Sequence, residues 1–161
     1  MNSLDQATLN QAAIDRFNAR YAACLDAGDF ERWPDFFLPD ALYKIVGREN
    51  YDAGLPLCIL ALEGHGMMRD RVYGIKNTLY HAPYYQRHVI GTALLEHRAN
   101  GGATAEANYA VFRTKPGGVS EVFNVGRYID RFQATPDGPK LAERLCVFDS
   151  EMILNSLIYP L

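Results

Sequence analysis

What this chain lacks narrows its chemistry first. It has three cysteines, Cys24, Cys58 and Cys146, an odd number at wide spacings with no Cys-x-x-Cys. That excludes a disulfide framework and reads as reduced thiols among apolar neighbours. The four histidines, His65, His81, His88 and His97, never pair at the i, i+4 spacing of a helical metal site. No Cys-x-His or Cys-x-x-His occurs, so no paired Cys/His ligand motif is present. The one metal arrangement left open is a two-His, one-carboxylate iron site from His81, His88 and a distant acid. Gly64-His65-Gly66 is too short for a dinucleotide fingerprint, and neither a Gly-Lys-Ser/Thr phosphate loop nor a Gly-x-Ser-x-Gly elbow exists. A basic excess is missing too: 16 Lys and Arg face 19 Asp and Glu, for a net charge of −3. Nucleic-acid binding draws its affinity from clustered cations on phosphate, so that partner is excluded. No apolar run is long enough to span a bilayer. The opening Met1-Asn2-Ser3-Leu4-Asp5 has no basic segment leading into an apolar one, so no secretory signal is read. A soluble, cytoplasmic protein without membrane or nucleic-acid partners is expected.

What is present is aromatic. Ten tyrosines and eight phenylalanines, against one tryptophan, bring aromatics to 12% of 161 residues, a length that fits one domain spanning 1–161. Tyrosine suits surfaces that are half apolar and half wet, a pull toward oligomerisation. Ile14, Phe17, Tyr21, Cys24 and Leu25 follow helical spacing, with Asp15, Arg16, Asn18 and Arg20 assigned to the solvent side. Gly28 stops that helix. Asp29 is placed to cap a short second helix reaching Phe37, and Pro39-Asp40 turns the chain into a strand over 41–46. The apolar run 55–62 reads as a short helix or the approach to one. A further helix carries Met67, Met68, Arg71, Val72 and Ile75, with Arg69 and Asp70 exposed. From Tyr84 the period becomes two, giving strands over 84–97, 103–115, 119–133 and 140–153. Asn100-Gly101-Gly102, Pro116-Gly117-Gly118 and Pro136-Asp137-Gly138-Pro139 separate them as hairpin turns. Gly126 is read as a bulge or bend inside the third.

Helices first and a long antiparallel sheet afterwards make an α+β domain, with the sheet wrapped around the N-terminal helix. A self-contained enzyme in such a cone needs a carboxylate base beside a tyrosine donor. Asp26 or Asp35 near Tyr43, or Tyr109 and Tyr128 with Asp149, are the candidate sets for an isomerase or dehydratase. The bland reading makes these tyrosines packing residues and Asp149 a polar strand residue. A scaffold or small-ligand module without catalysis is the third class.

The order of segments adds a resemblance over nearly the whole chain. It is carried by Asp29-Phe30-Glu31-Arg32-Trp33-Pro34-Asp35-Phe36-Phe37, by Asp70-Arg71-Val72 and by Tyr85-Gln86-Arg87-His88-Val89-Ile90-Gly91. The strand 120–132, the run Arg144-Leu145-Cys146-Val147-Phe148-Asp149-Ser150 and the ending Leu157-Ile158-Tyr159-Pro160-Leu161 complete it. Together they resemble the β (small) subunits of Rieske-type aromatic-ring-hydroxylating dioxygenases. That resemblance implies a cystatin-like, ketosteroid-isomerase-like cone, with N-terminal helices packed in a strongly curved, mainly antiparallel sheet. It also implies a non-catalytic chain whose larger α partner holds the Rieske [2Fe-2S] cluster, the mononuclear Fe(II) and the substrate pocket. Three α and three β chains, with β–β contacts, are the implied assembly. The details lean toward aromatic carboxylates such as salicylate, terephthalate or anthranilate. In this chain no catalytic, cofactor or metal residues are then expected, and Phe17, Tyr21, Phe37 and Phe123 are expected to fill the cone. Tyr84, Tyr85, Arg87, Arg127 and Tyr128 are the candidate subunit contacts, because Tyr and Arg are enriched at interfaces.

Overall fold

The computed structural model describes residues 8–99, 101–153 and 156–161. The opening Met1-Asn2-Ser3-Leu4-Asp5, and Asn100 of the first expected hairpin turn, lie outside them. Helix α1 spans Gln11–Asp26, and the Asn10 side chain caps it by accepting from the Ala13 amide at 2.9 Å. It buries Ile14, Phe17, Tyr21 and Leu25, as their spacing predicts, but also Asn18 and Ala22. Asn18 was assigned to solvent; it lies one residue from Phe17, inside the apolar arc, and a polar partner there explains its burial below. Gly28, at φ 70°, ends the helix in the left-handed region.

The expected second helix is a 3₁₀ turn, Phe30–Phe36, with no side-chain cap from Asp29. It carries the buried Trp33 and leads directly into β1, Phe37–Gly47. Pro39-Asp40 is therefore not a turn before the strand. It lies in an irregular stretch where the register against β7 jumps from Phe37 to Leu42. Proline has no amide to donate to a ladder, so pairing breaks there and resumes. Short α2 is Arg48–Asp52. The apolar run 55–62, expected as a short helix or the approach to one, forms no helix: it ends as strand β2, Leu60–Glu63, paired with β1 and leading into the next helix, and Leu55, Leu57 and Ile59 before it are exposed. Helix α3, Gly64–Asn77, buries Met68, Val72 and Ile75.

Strands β3 (Tyr85–Ile90), β4 (Leu94–His97), β5 (Ala103–Thr114), β6 (Ser120–Thr135) and β7 (Gly138–Phe148) complete a seven-stranded sheet, six strands in the order β2-β1-β7-β6-β5-β3 and β4 off this path against β5. The expected strand 84–97 is two strands, broken at 91–93, and both halves pair with β5. The strand expected over 140–153 ends at Phe148. All pairings are antiparallel except β1 with β7.

On β5 the alternation is strict: Ala103, Ala105, Ala107, Tyr109, Val111 and Arg113 face inward. The register against β6 shifts at Phe123, three residues before Gly126, so the bulge expected at the glycine lies elsewhere. Gly126 serves a close approach instead: a Cβ there would stand 2.0 Å from the Val147 carbonyl oxygen. The inner face of this coiled sheet and the helices bury one cluster that runs from Leu9 through Phe132 to Leu161. Among the described residues no helix is long and apolar enough to cross a membrane.

Candidate functional site

The interior of the cone, where the isomerase or dehydratase reading needs its site, is occupied by the chain's own side chains. At its centre stands Arg144 of β7, fully buried and directly across from Asp130 of β6. Its Nε donates to Asp130 Oδ1 at 2.9 Å and its Nη2 to Oδ2 at 2.8 Å. The same Nη2 reaches Asn18 Oδ1 of α1 at 2.7 Å, which accounts for the buried asparagine. The rings of Tyr21 and Tyr128 lie 4.2 and 4.0 Å from the guanidinium carbon. A planar cation suits this arrangement, presenting a fork to a carboxylate and flat faces to aromatics. Burial works against the cation, but Asp130 outweighs it and holds Arg144 well above its ordinary pKa. Tyr128 stacks on Tyr109 at 4.4 Å, and Tyr109 donates its hydroxyl proton to Asn124 Oδ1 at 2.7 Å.

A second cluster joins the helices to the segment 157–161. Trp33 Nε1 donates to the Tyr21 hydroxyl at 3.0 Å, and that hydroxyl donates to the Leu161 carbonyl at 2.8 Å. The Tyr43 hydroxyl donates to the same carbonyl at 3.2 Å and accepts from the Leu161 amide at 2.9 Å. Both phenols are deeply buried, and desolvation raises both above their ordinary pKa.

A third feature, not anticipated from sequence, is a pair between Asp26 at the end of α1 and His88 of β3. His88 Nδ1 lies 2.6 Å from Asp26 Oδ1, and the His88 amide donates to both carboxylate oxygens at 3.1 Å. The pair borders a cleft of about 460 Å³ that also includes Asn18 and Arg87. Two sequence signals carried it: Asp26 is the last residue of the first helical pattern, and His88 sits in phase with Gln86 on the inward side of a strand.

These placements decide the expected sets. Asp26 is engaged by His88, and Asp35 is exposed, so neither forms the expected pair with Tyr43. Asp149 pairs with Arg48 at 3.3 Å on the surface; burial, and to a lesser degree the Asp149 charge, raise the Tyr109 phenol, whose hydroxyl bonds Asn124 instead. Among the described residues, no hydrogen bond joins a carboxylate to Tyr43, Tyr109 or Tyr128. The expected fillers Phe17, Tyr21, Phe37 and Phe123 are all buried. His81 and His88 do not converge on iron: His81 Nδ1 donates to the Leu79 carbonyl, and its Nε2 meets the Tyr159 hydroxyl at 2.8 Å. No group of three His, Cys, Asp or Glu side chains suited to a metal occurs among the described residues. The residues present do not fit a Rieske cluster or a mononuclear iron.

Of the candidate contact residues, Tyr85 and Arg87 are well exposed. Arg127 is half-buried, bonded to Glu106 at 3.0 Å, and Tyr84 is half-buried with its ring 4.5 Å from Tyr159. Tyr128 is a correction. It has no accessible surface, because its strand phase points it inward between Tyr109 and Arg144.

The SnoaL-like domain family matches residues 6–144. The chain is 32% identical over 142 residues to the anthranilate 1,2-dioxygenase small subunit of Burkholderia cepacia, covering 88% of each. It is 30% identical over 153 residues to the β2 subunit of the terminal oxygenase component of terephthalate 1,2-dioxygenase from a Comamonas species, covering 95% of this chain and 99% of that one. A solved structure from Novosphingobium aromaticivorans, assigned as the β subunit of an aromatic-ring-hydroxylating dioxygenase, superposes with a TM-score of 0.86 at 37% identity. It covers 96% of this chain and 99% of its own. With a cone of this topology, an interior closed by its own side chains and likeness along nearly its full length, the chain belongs to the SnoaL-like family and, within it, to the β subunits of aromatic-ring-hydroxylating dioxygenases.

Proposed function

We propose that this chain is the non-catalytic, structural β subunit of a multicomponent ring-hydroxylating oxygenase acting on an aromatic carboxylate. The observation that carries the reading is the filled cone. Where a cone enzyme needs an open cavity with a carboxylate facing a tyrosine, this interior holds a neutralised Arg144–Asp130 pair and the chain's own Leu161. The substrate class rests on likeness to the anthranilate and terephthalate dioxygenase subunits.

The partner is a larger α chain that carries the Rieske [2Fe-2S] cluster, the mononuclear iron and the substrate pocket, in an assembly of three α and three β chains. The sheet's outer face supports a docking role. Tyr85 and Val89 on β3 and Val122 and Val125 on β6, the two strands that flank β5, are exposed, with Arg87 beside the first pair. Exposed apolar side chains ringed by polar ones are the usual makings of an interface. Tyr84 and Arg127 are retained as contacts of lesser area, and Tyr128 is not.

Co-expression with a Rieske α chain encoded beside this one tests the reading. The two proteins are expected to co-purify and to oxidise an aromatic carboxylate once supplied with electrons. The isolated chain is expected to bind no stoichiometric iron and to turn over nothing. Iron retained by this chain alone, or turnover without a companion, overturns it.

A further inference from the structure

Outside the cone, helix α1, the 3₁₀ turn and the β6–β7 hairpin meet around a cleft of about 240 Å³. Ala13, Arg16, Phe17 and Arg20 recur at helical spacing, so one stripe of α1 forms its first wall. Arg32 and Phe36 come from the turn, and Lys140 from the hairpin. The floor is aromatic. Phe17 is buried, Phe36 is half-buried, and their rings meet edge to face at 5.4 Å.

The rim is cationic, in a chain whose net charge is −3. Arg16, Arg20, Arg32 and Lys140 stand against two acids, Asp35 and Asp137. Those acids do not neutralise them. Among the described residues, no ion pair joins either acid to a cation, and Arg16 and Arg20 have no ion pair at all. Arg32 reaches only the half-exposed Asp29, at 3.7 Å, and Lys140 Nζ donates to the Asp35 backbone carbonyl. Like charges four residues apart on a helix repel, and an anion beside Arg16 and Arg20 relieves that repulsion. Guanidinium groups also present planar forks that match a carboxylate.

We propose that this cleft binds a small aromatic acid, with its ring on Phe17 and Phe36 and its carboxylate among Arg16, Arg20, Arg32 and Lys140. The volume suits a single substituted ring, since a cavity of about 150 Å³ already accepts benzene. The aromatic floor selects the ring and the unpaired cations select the charge. An inorganic anion uses only the second, and a neutral ring only the first. Every group named belongs to this chain, so binding does not depend on an α partner; only the identity of the ligand with the oxygenase's substrate class rests on the function proposed above.

The test titrates the full chain alone with benzoate and follows backbone amide shifts by NMR, with benzamide and acetate as the neutral and ringless controls. Saturable shifts are expected at Arg20, Phe36 and Lys140. Both controls are expected to bind weaker by roughly tenfold or more, about the worth of one charge-assisted hydrogen bond. Arg16→Gln combined with Arg20→Gln should weaken benzoate by a similar factor, and Asp35→Asn, which removes a repelling charge, should tighten it. All three side chains are exposed, so the fold is expected to tolerate these changes with an unaltered urea midpoint. The proposal is overturned by the absence of saturable binding, by benzoate shifts centred elsewhere, or by benzamide or acetate binding as tightly as benzoate. An unchanged affinity in the arginine double variant overturns it too. So does an inert benzoate when a hexaglutamate peptide saturates the same amides, for the cleft then receives an acidic segment of another chain. None of these results bears on co-purification with a Rieske α chain, which tests the subunit reading separately.

Discussion

Asp130–Arg144 and Arg131–Glu143 are consecutive cross-strand pairs on the same two strands, and only the face of the sheet separates them. Inside, both partners are essentially without accessible surface and the guanidinium is enclosed by two rings. Outside, the Arg131 side chain remains 49% exposed. The chemistry is the same and the surroundings are opposite. Burial makes the inner pair costly to assemble and far costlier to break, whereas water already satisfies the outer ions singly. The inner pair therefore locks the register of β6 on β7 and ties both to α1 through Asn18, while the outer pair serves solubility.

The largest expected effect breaks the inner pair. Arg144→Ala leaves a buried carboxylate alone and should destabilise by about 3–5 kcal/mol in urea denaturation. Replacing both partners, Asp130→Leu with Arg144→Met, should recover most of that loss, since a well-packed apolar pair can match a buried ion pair. A loss of less than about 1 kcal/mol for Arg144→Ala, the range of exposed pairs, erases the distinction between the faces.

Asp26 tests whether burial alone, away from β6 and β7, gives the same behaviour. Asp26→Ala strips three hydrogen bonds to His88, from its amide and from Nδ1, at a carboxylate only 7% exposed. A loss of roughly 2 kcal/mol is expected from the unsatisfied donors, with faster hydrogen exchange at the His88 amide as its local signature. No change in that exchange rate shows that α1 does not depend on the pair.

Alkali sharpens the contrast without mutation. Burial pushes the Cys146 thiol from its ordinary 9.0 up to about 12, and Tyr21, Tyr43, Tyr109 and Tyr128 are likewise raised by desolvation. These groups are neutral when protonated, so the native chain keeps protons that the unfolded chain has released. Stability is then full below the ordinary values and falls as pH rises toward the native ones. For Cys146 the window runs from about 9 to about 12, with a slope near ~1.4 kcal/mol per pH unit for each such group. Urea midpoints at pH 8, 9.5 and 10.5 should drop progressively. A constant midpoint shows that the inner face is wetter than its geometry.

Much of this was legible in the sequence, and the failures have identifiable causes. The face of α1 and the turn signals between β5, β6 and β7 follow from periods and glycines. The break at 91–93 escaped because a run with period two on both sides does not show where pairing pauses. Residues 55–62 were ambiguous because a short apolar run fits helix and strand alike. Pro39-Asp40 looked like a turn, since a proline that interrupts a strand at a bulge leaves the same trace. The central site was missed although its signal was present. Arg144 lies two residues before Cys146, and Asp130 lies between Tyr128 and Phe132 at the same spacing, so strict alternation puts both charges inside. The expectation that charges face water concealed this, and the same habit placed Asn18 outside and Tyr128 at an interface. The role of Leu161 was not legible at all: nothing local in Leu157-Ile158-Tyr159-Pro160-Leu161 shows that two tyrosines more than a hundred residues earlier receive its carbonyl.

The smallest effect carries the other half of the comparison. Arg131→Ala removes a charge-assisted bond to Glu143 one register step from the core pair, and proximity alone would suggest a comparable loss. Exposure argues otherwise. Water re-solvates Glu143 when its partner goes, and a free arginine regains the side-chain entropy that the bond had restricted. A change within about 0.5 kcal/mol is therefore expected, shrinking further in 1 M NaCl, where the screening length falls to about 3 Å. The same salt should leave the Arg144→Ala penalty nearly unmoved, because no ions reach that pair. If Arg131→Ala cost as much as Arg144→Ala, position along the strands, not the side of the sheet, would govern what an ion pair contributes here.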